Sequence, residues 1–309
     1  MALTSDQLVD RKRLKLQVSR WRSIALLLVF LASAYASYQY LGDTHALPTH
    51  ERYVARITIA DVMVDDPALE DRLEEIRTDT NAKALVVRMD SPGGTALAGE
   101  ELATQLRRIS AEKPVVVVMR TVCASACYMA AVAGDYIVAR STSLTGSIGV
   151  VMEWPEISRL ADKLGITPMI VKSGAYKDVP SATRPMTDEE MAYLQRSVDD
   201  TYDYFKDLVQ KRRKLSDTEL QAVTEARVFT GREALKLKLV DALGGELEAR
   251  AWLEKTHKIP ADLEIYDYEP KEEFKSLLEE FAHATGISNF SQSLLPLDGL
   301  VSIWHLPRH

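Results

Sequence analysis

The sequence predicts an α/β fold built from βαβ units on a parallel sheet, preceded by one apolar helix long enough to cross a membrane. Three observations carry this. Short Val-rich runs alternate with segments of helical periodicity between residues 53 and 171, the pattern of successive βαβ units. Those runs are nearly continuous in apolar residues, as in strands covered on both faces. Residues 24–41, IALLLVFLASAYASYQYL, contain no charge over 18 residues, close to the ~20 that span a bilayer.

The chain starts basic. Residues 1–22 hold Arg11, Lys12, Arg13, Lys15, Arg20 and Arg22 against Asp6 and Asp10, a local charge of +4 in a chain of formal charge -7, which leaves -11 for the remainder. Cationic flanks stay on the cytoplasmic side of a membrane, and Trp21, Tyr38 and Tyr40 suit its interfaces. Residues 1–22 are therefore expected in the cytoplasm, residues 23–41 as a transmembrane signal anchor, and the bulk of the chain beyond it. Ala34-Tyr35-Ala36 resembles the cleavage site of a removable secretory signal, but the length and aromatic end of the segment favour a retained anchor. The acidic remainder disfavours a nucleic-acid partner.

Residues 42–51 read as a polar linker, and residues 52–257 as the main domain. Tyr53–Ile59 alternates like a strand. Residues 67–79 place Leu69, Leu73 and Ile76 on one helical face. Ala84–Met89 reads as a buried strand, 96–111 as an amphipathic helix, Pro114–Met119 as a second buried strand, about 125–133 as a small-residue helix and Tyr136–Ala139 as a third strand. A helix over 155–164 and a strand over Pro168–Val171 follow. Thr187 and Glu190 form an S/T-x-x-E capping box that opens a long helix to residue 214, and the chain stays mostly helical to 257. Residues 258–309 are an extension, with a late strand at Leu263–Tyr268, a helix over 271–286 and an apolar tail broken by Pro and Gly.

Cys123 and Cys127 are the only cysteines. At the spacing of one helical turn a disulfide is geometrically awkward, and two cysteines cannot complete a four-ligand metal site. They are expected as small buried residues, with no metal and no cofactor.

None of the six histidines falls between residues 51 and 256, so a Ser-His-Asp triad is disfavoured and an activated nucleophile needs another base. Ser125 follows the run VVVVM and opens a helix of small residues, where unpaired N–H groups and a partial positive charge favour an oxyanion; a lone serine there is usually only an N-cap. Asp90-Ser91-Pro92-Gly93-Gly94 follows another strand. Its two glycines permit close backbone approach to a ligand, on the sheet edge where ligands tend to bind. Thr145-Gly146-Ser147-Ile148-Gly149-Val150 is a Gly-punctuated loop. Ser173-Gly174-Ala175-Tyr176-Lys177-Asp178 supplies a lysine, whose amine becomes a useful base when taken out of water.

The ordered set D-S-P-G-G, A-S-A-C-Y, T-G-S-I-G-V, A-Y-K-D and R-P-M-T-D-E-E resembles the short, single-domain form of signal peptide peptidase A. Arg227-Val228-Phe229-Thr230-Gly231, Leu239-Val240-Asp241 and Gly244-Gly245 extend the resemblance over roughly residues 53–250. It implies a Clp-protease/crotonase-like spiral of βαβ units. It also implies a serine endopeptidase with a Ser-Lys dyad: Ser125 as nucleophile, Lys177 as general base, Ser147 hydrogen-bonding the lysine, and the backbone N–H groups of Gly93, Gly94 and Ala126 as the oxyanion hole. The implied substrates are signal peptides or other apolar peptides at a bacterial inner membrane, the catalytic domain lies on the periplasmic side, and the assembly is a homo-oligomer, often an octamer. The chain departs from the family pattern at Ala126 and Cys127, where S-G-G-Y is usual, and at Lys238, where Gly commonly precedes L-V-D. Three rival readings stand beside it: a crotonase-type acyl-CoA hydratase or thioesterase, which an extracytoplasmic site would deprive of CoA; a non-catalytic membrane scaffold of the same fold; and a cysteine protease, which lacks a nearby histidine.

Overall fold

The computed structural model describes residues 21, 22, 26–28, 30 and 52–268, and the backbone of 301–303. The chain divides into two units, Met1–His50 and Glu51–His309. In the first, the described residues are helical, with exposed side chains at Trp21, Leu26, Leu27, Leu28 and Phe30. Most of the expected anchor and all of the expected linker lie outside the described residues. Among the described residues no helix is long and apolar enough to cross a membrane.

The second unit is a mixed α/β fold on a nine-stranded, largely parallel sheet. In chain order its elements are β1 (Tyr53–Met63), α1 (Pro67–Thr78), β2 (Ala82–Thr95), α2 (Ala96–Ser110), β3 (Val115–Ala124), α3 (Ala126–Ala131), β4 (Tyr136–Ala139), β5 (Leu144–Gly146), α4 (Ser158–Lys163), α5 (Asp188–Arg213), α6 (Asp217–Val223), β6 (Val228–Thr230), α7 (Gly231–Lys236), β7 (Ala242–Leu243), α8 (Glu246–His257), β8 (Ile265–Asp267) and β9 (Val301–Ile303). The main path runs β6-β5-β3-β2-β1-β8.

Local chemistry starts the helices where the sequence reading put them. Asp66 accepts from the N–H groups of Ala68 and Leu69, with Pro67 inside the first turn of α1. Thr95 caps α2. Thr187 and Glu190 close the expected capping box on α5, which satisfies two backbone donors that the helix itself cannot. The valine runs are explained by cover on both faces. On one side Leu73, Ile76, Leu102, Leu106, Tyr128 and Phe205 of the helices meet Ile57, Leu85, Val87 and Val117. On the other, Ala249 and Leu253 of α8 pack on Val54, Val86, Val116 and Val138.

β2 and β3 run past their apolar stretches, and this positions the site. The register of β2 on β3 shifts between Met89 and Ser91, and that of β1 on β2 between Ala60 and Val62. Such irregularities bend and twist strands locally. Beyond the shift β3 changes partner: Val116 to Met119 pair with β4, whereas Val122 to Ala124 pair with β5. The carboxyl ends of β2, β3 and β5 are thereby gathered on one edge.

The expected strand over Pro168–Val171 does not form. Its residues are exposed, Met169 at 89% and Val171 at 102%, and among the described residues no neighbouring strand pairs with it. An apolar run becomes a strand only where another edge completes the ladder. The expected helix over 271–286 lies outside the described residues.

Candidate active site

Ser125 is the whole of the turn between β3 and α3. Its φ of 59° and ψ of −123° lie in a region that costs a residue with a Cβ about 1–3 kcal/mol. The surroundings impose it: the Ser125 N–H donates to the Gly146 carbonyl (2.9 Å), the Met129 N–H donates to the Ser125 carbonyl (2.9 Å), and the Thr145 hydroxyl donates to the Cys123 carbonyl (2.7 Å). A strained serine on a strand-to-helix turn at the carboxyl edge of a parallel sheet has the geometry of a nucleophile elbow. Ser125 is 1% exposed.

The same turn corrects the reading of the cysteines. Cys123 and Cys127 form a disulfide with Cα atoms 5.1 Å apart. The expectation against a crosslink supposed that both sit on one helix. In fact Cys123 lies in β3, one residue before its end, and Cys127 is the second residue of α3, and the turn at Ser125 brings their side chains together.

Gly93 and Gly94 lie beside this elbow, because Ser91 is in register with Cys123. Asp90 fastens the loop to β3 by accepting from the Val122 N–H (3.0 Å). The two glycines differ. Gly93, at φ 111°, donates its N–H to the Ser91 hydroxyl (3.1 Å), and that hydroxyl donates to the Asp61 carbonyl. Gly94 packs so tightly that a Cβ would sit 1.8 Å from the Met63 carbonyl oxygen. Gly94→Ala should therefore force the loop off β1, lowering stability by about 1–3 kcal/mol or more and removing reactivity at Ser125. Thermal denaturation with a parallel labelling assay checks this; a Gly94→Ala protein with unchanged Tm and labelling would contradict it. Ala126 offers the first N–H of α3, which has no carbonyl four residues back within the helix.

Ser147 is brought to the same edge. It is 7% exposed, has φ 51°, and donates its N–H to the Arg227 carbonyl (2.8 Å). It directly follows Gly146, the residue that holds Ser125. Arg227 and Phe229 of the segment behind this loop are structural supports: a Cβ on Gly146 would strike the Phe229 ring at 2.7 Å.

Lys177 is placed differently. It stands on an exposed turn, with its N–H donating to the Gly174 carbonyl (3.3 Å), and its amine makes no hydrogen bond or ion pair among the described residues. The desolvated amine that the sequence reading called for is not found within one chain. The turn itself is well anchored. Asp178 accepts from Lys172 Nζ (2.6 Å) and Arg184 Nε (3.1 Å), and Arg184 Nη2 also donates to Glu190 Oε1 (2.7 Å). Arg184, with Lys172 second, holds the Asp178 carboxyl at about 2, and Arg184 holds Glu190 at about 2. Both values are depressed, so this anchoring is complete above the ordinary carboxylate range and is lost only as pH falls toward 2. Around the turn the chain exposes Leu160, Leu164, Ile166, Met169 and Val171, an apolar arm that presents the lysine outward.

Two features surround the glycine loop. β9 pairs antiparallel with it, Gly93 opposite Ile303, Gly94 opposite Ser302 and Thr95 opposite Val301, so an extended backbone already lies along this edge. On the β1 side a cavity of about 420 Å³ is lined by Ile59, Val62, Met63, Val64, Leu69 and Leu102, among others. Val62 and Met63 are the register partners of Gly93 and Gly94.

Residues 107–260 match the model of Peptidase family S49. A protein assigned as a protease in Methanocaldococcus jannaschii is 37% identical over 196 residues, covering 63% of this chain and 63% of its own length. One assigned as a protease in Synechocystis is 40% identical over 169 residues, covering 55% of this chain and 61% of its own. The chloroplastic serine protease SPPA of Arabidopsis thaliana is 32% identical over 198 residues, covering 64% of this chain and 29% of its own. The matches thus span less than two thirds of each of these relatives.

Proposed function

We propose, from the premise that residues 107–260 carry a Peptidase family S49 domain, that this chain is a membrane-anchored serine endopeptidase working through a Ser-Lys dyad. The observation that carries the reading is the strained Ser125 elbow, set beside a glycine loop on which an extended backbone already lies. Pairing a peptide as an extra strand uses main-chain hydrogen bonds and tolerates varied side chains. It would also bring a scissile carbonyl past the serine. We read the α/β body as the Clp-protease/crotonase-like spiral.

Ser125 is the nucleophile in this scheme. The Lys177 amine, in its neutral form, takes the hydroxyl proton as the oxygen attacks the peptide carbonyl. The N–H groups of Gly94 and Ala126 hold the developing oxyanion, each worth about 10²–10³ in rate where such a donor has been removed elsewhere. Gly93 serves this hole by shaping it, since its own N–H is engaged by Ser91. The protonated lysine then passes its proton to the leaving amine, and water hydrolyses the acyl-enzyme with the lysine again as base. Ser147, next to Gly146, orients the amine.

Because Lys177 is exposed on an apolar arm, the amine that meets Ser125 comes from a second copy of the chain, and burial of the arm against that copy supplies the dry surroundings. This makes the homo-oligomer, an octamer by the resemblance, a condition of activity. Residues 23–41 anchor it in a bacterial inner membrane with the domain on the periplasmic side. The substrates are apolar peptides, signal peptides among them. The cavity beside Gly93 and Gly94, with Val62 and Val64 at 39% and 48% exposure, supports the preference. The acyl-CoA alternative is not favoured, since the family model and the three relatives above are all named for peptidases.

The cavity gives a direct test. Val64→Asp places a charge where an apolar side chain of the substrate would sit. It should raise KM for an apolar peptide by about tenfold with kcat little changed, the pattern of lost uniform binding. Equal KM in both proteins would remove the cavity from the substrate path. No hydrolysis of any peptide by the purified full chain would count against the function itself.

A further inference from the structure

We infer that the Cys123–Cys127 disulfide is a redox-sensitive positioning device for Ser125, an inference that rests on Ser125 being the nucleophile as proposed above. The crosslink joins the residues two before and two after Ser125. Its small ring therefore encloses both the strained serine and Ala126, a proposed oxyanion donor. Both cysteines are 0% exposed, and the Cys123 sulfur rests against Met89 Sδ at 3.7 Å. The bond thus ties the end of β3 to the first turn of α3 inside the core.

The elbow needs such a tie. α3 has only six residues, and Ser125 gives it no side-chain cap. A helix of this length is marginal without tertiary support. The conformation at Ser125 is also unfavourable for a residue with a Cβ, so the turn tends to relax toward negative φ wherever its ends are free to move. With the disulfide closed, that rotation has to drag Cys127 against Cys123. With it open, that restraint is lost and the hydrogen bonds to Gly146, from Met129 and from Thr145 to the Cys123 carbonyl carry more of the load. A shift on the order of 1 Å in the serine oxygen or the Ala126 N–H is enough to cost about 10²-fold in rate.

The chemistry balances with an external dithiol as reductant. Its thiolate attacks one cystine sulfur and expels the other as a thiolate. Its second thiol then displaces the mixed disulfide. The products are two protein thiols and a cyclic oxidised dithiol, with two electrons and two protons transferred to the protein. Because both sulfurs are buried, the exchange is slow unless the elbow opens. A periplasmic location, as proposed, is one in which such a disulfide forms and persists.

The test uses the purified full chain, oxidised, dithiothreitol-reduced and reoxidised, together with the Cys123→Ser/Cys127→Ser double variant. Peptide mapping without reduction should find the crosslink. The rate of fluorophosphonate labelling at Ser125 should fall at least about tenfold on reduction, recover on reoxidation, and stay low in the double variant whether or not dithiol is present. Amide hydrogen exchange at Ala126, Cys127 and Tyr128 should quicken on reduction. If the crosslink served stability alone, its loss would lower Tm and leave the labelling rate of the folded protein unchanged. Equal labelling rates, unchanged exchange at these amides or absence of the crosslink each overturn the inference. If the oxidised wild-type chain does not label at all, the nucleophile assignment fails instead, and the exchange experiment still decides whether the disulfide holds the elbow.

Discussion

Ser125→Ala should abolish peptide hydrolysis and fluorophosphonate labelling together, with a fall in rate of at least about 10³-fold, since removal of a nucleophile leaves only binding and oxyanion stabilisation. The substitution separates chemistry from folding well. Alanine keeps the Cβ, so the cost of the φ of 59° at this position is the same in both proteins. The N–H that donates to Gly146 and the carbonyl that accepts from Met129 belong to the backbone and survive. Only a hydroxyl is lost from a site 1% exposed, and the expected change in stability is about 1 kcal/mol. An inactive protein with a near-native Tm is the supporting result. Labelling that persists in Ser125→Ala would mean that another residue is the nucleophile, and the elbow would then be only a tight turn.

The second large effect concerns Lys177. Lys177→Ala should lower the rate by about 10²–10⁴-fold, the range spanned by a general base. The more informative experiment mixes two inactive proteins. In a single chain Lys177 is exposed, on an arm with Met169 at 89% and Val171 at 102% exposure. If that arm completes the site of a neighbouring copy, co-assembly of Ser125→Ala with Lys177→Ala regenerates sites that take the lysine from one variant and the serine from the other. In a closed ring with random one-to-one mixing, roughly a quarter of the sites are restored. Activity that stays absent in a mixed oligomer, shown to have formed by differential tagging, would mean that serine and lysine pair within one chain after movement of the turn. The Arg184 network fixes Asp178 to the start of α5, so such movement has to carry the anchored turn as a unit or break that network.

Much of this was legible in the sequence, for reasons that are local. The helices over Pro67–Thr78, Ala96–Ser110 and Asp188–Arg213 could be read because the apolar residues of the first two recur at helical spacing and Thr187 with Glu190 supplies a capping box for the third. The valine runs of β2 and β3 could be read because strands buried on both faces leave no polar alternation. Pro168–Val171 misled for the complementary reason: it has a strand's composition, but ladder partners are supplied by other parts of the chain. The extension of β3 through Arg120 and Thr121 was missed because these two polar residues end the apolar run, while the pairing of Val122 to Ala124 with β5 is set by a segment some twenty residues away.

The site divides along the same line. Sequence alone determined the residue types available for chemistry: a serine between a strand and a helix, a double glycine after another strand, a lysine in a turn, and no histidine between residues 51 and 256. These are properties of composition and order, and no fold can change them. Tertiary structure alone decided how they are used. It set Ser125 in a strained conformation, because Gly146 and Met129 hold its backbone. It engaged the Gly93 N–H with Ser91 while leaving Gly94 against Met63. It joined Cys123 to Cys127, since a strand-to-helix turn points their side chains at one another, where the near-parallel side chains of one helix make such a bond awkward. It left Lys177 in solvent on an apolar arm. Each of these depends on which distant backbone or side chain arrives at a given point, and spacing along the chain does not encode that arrival.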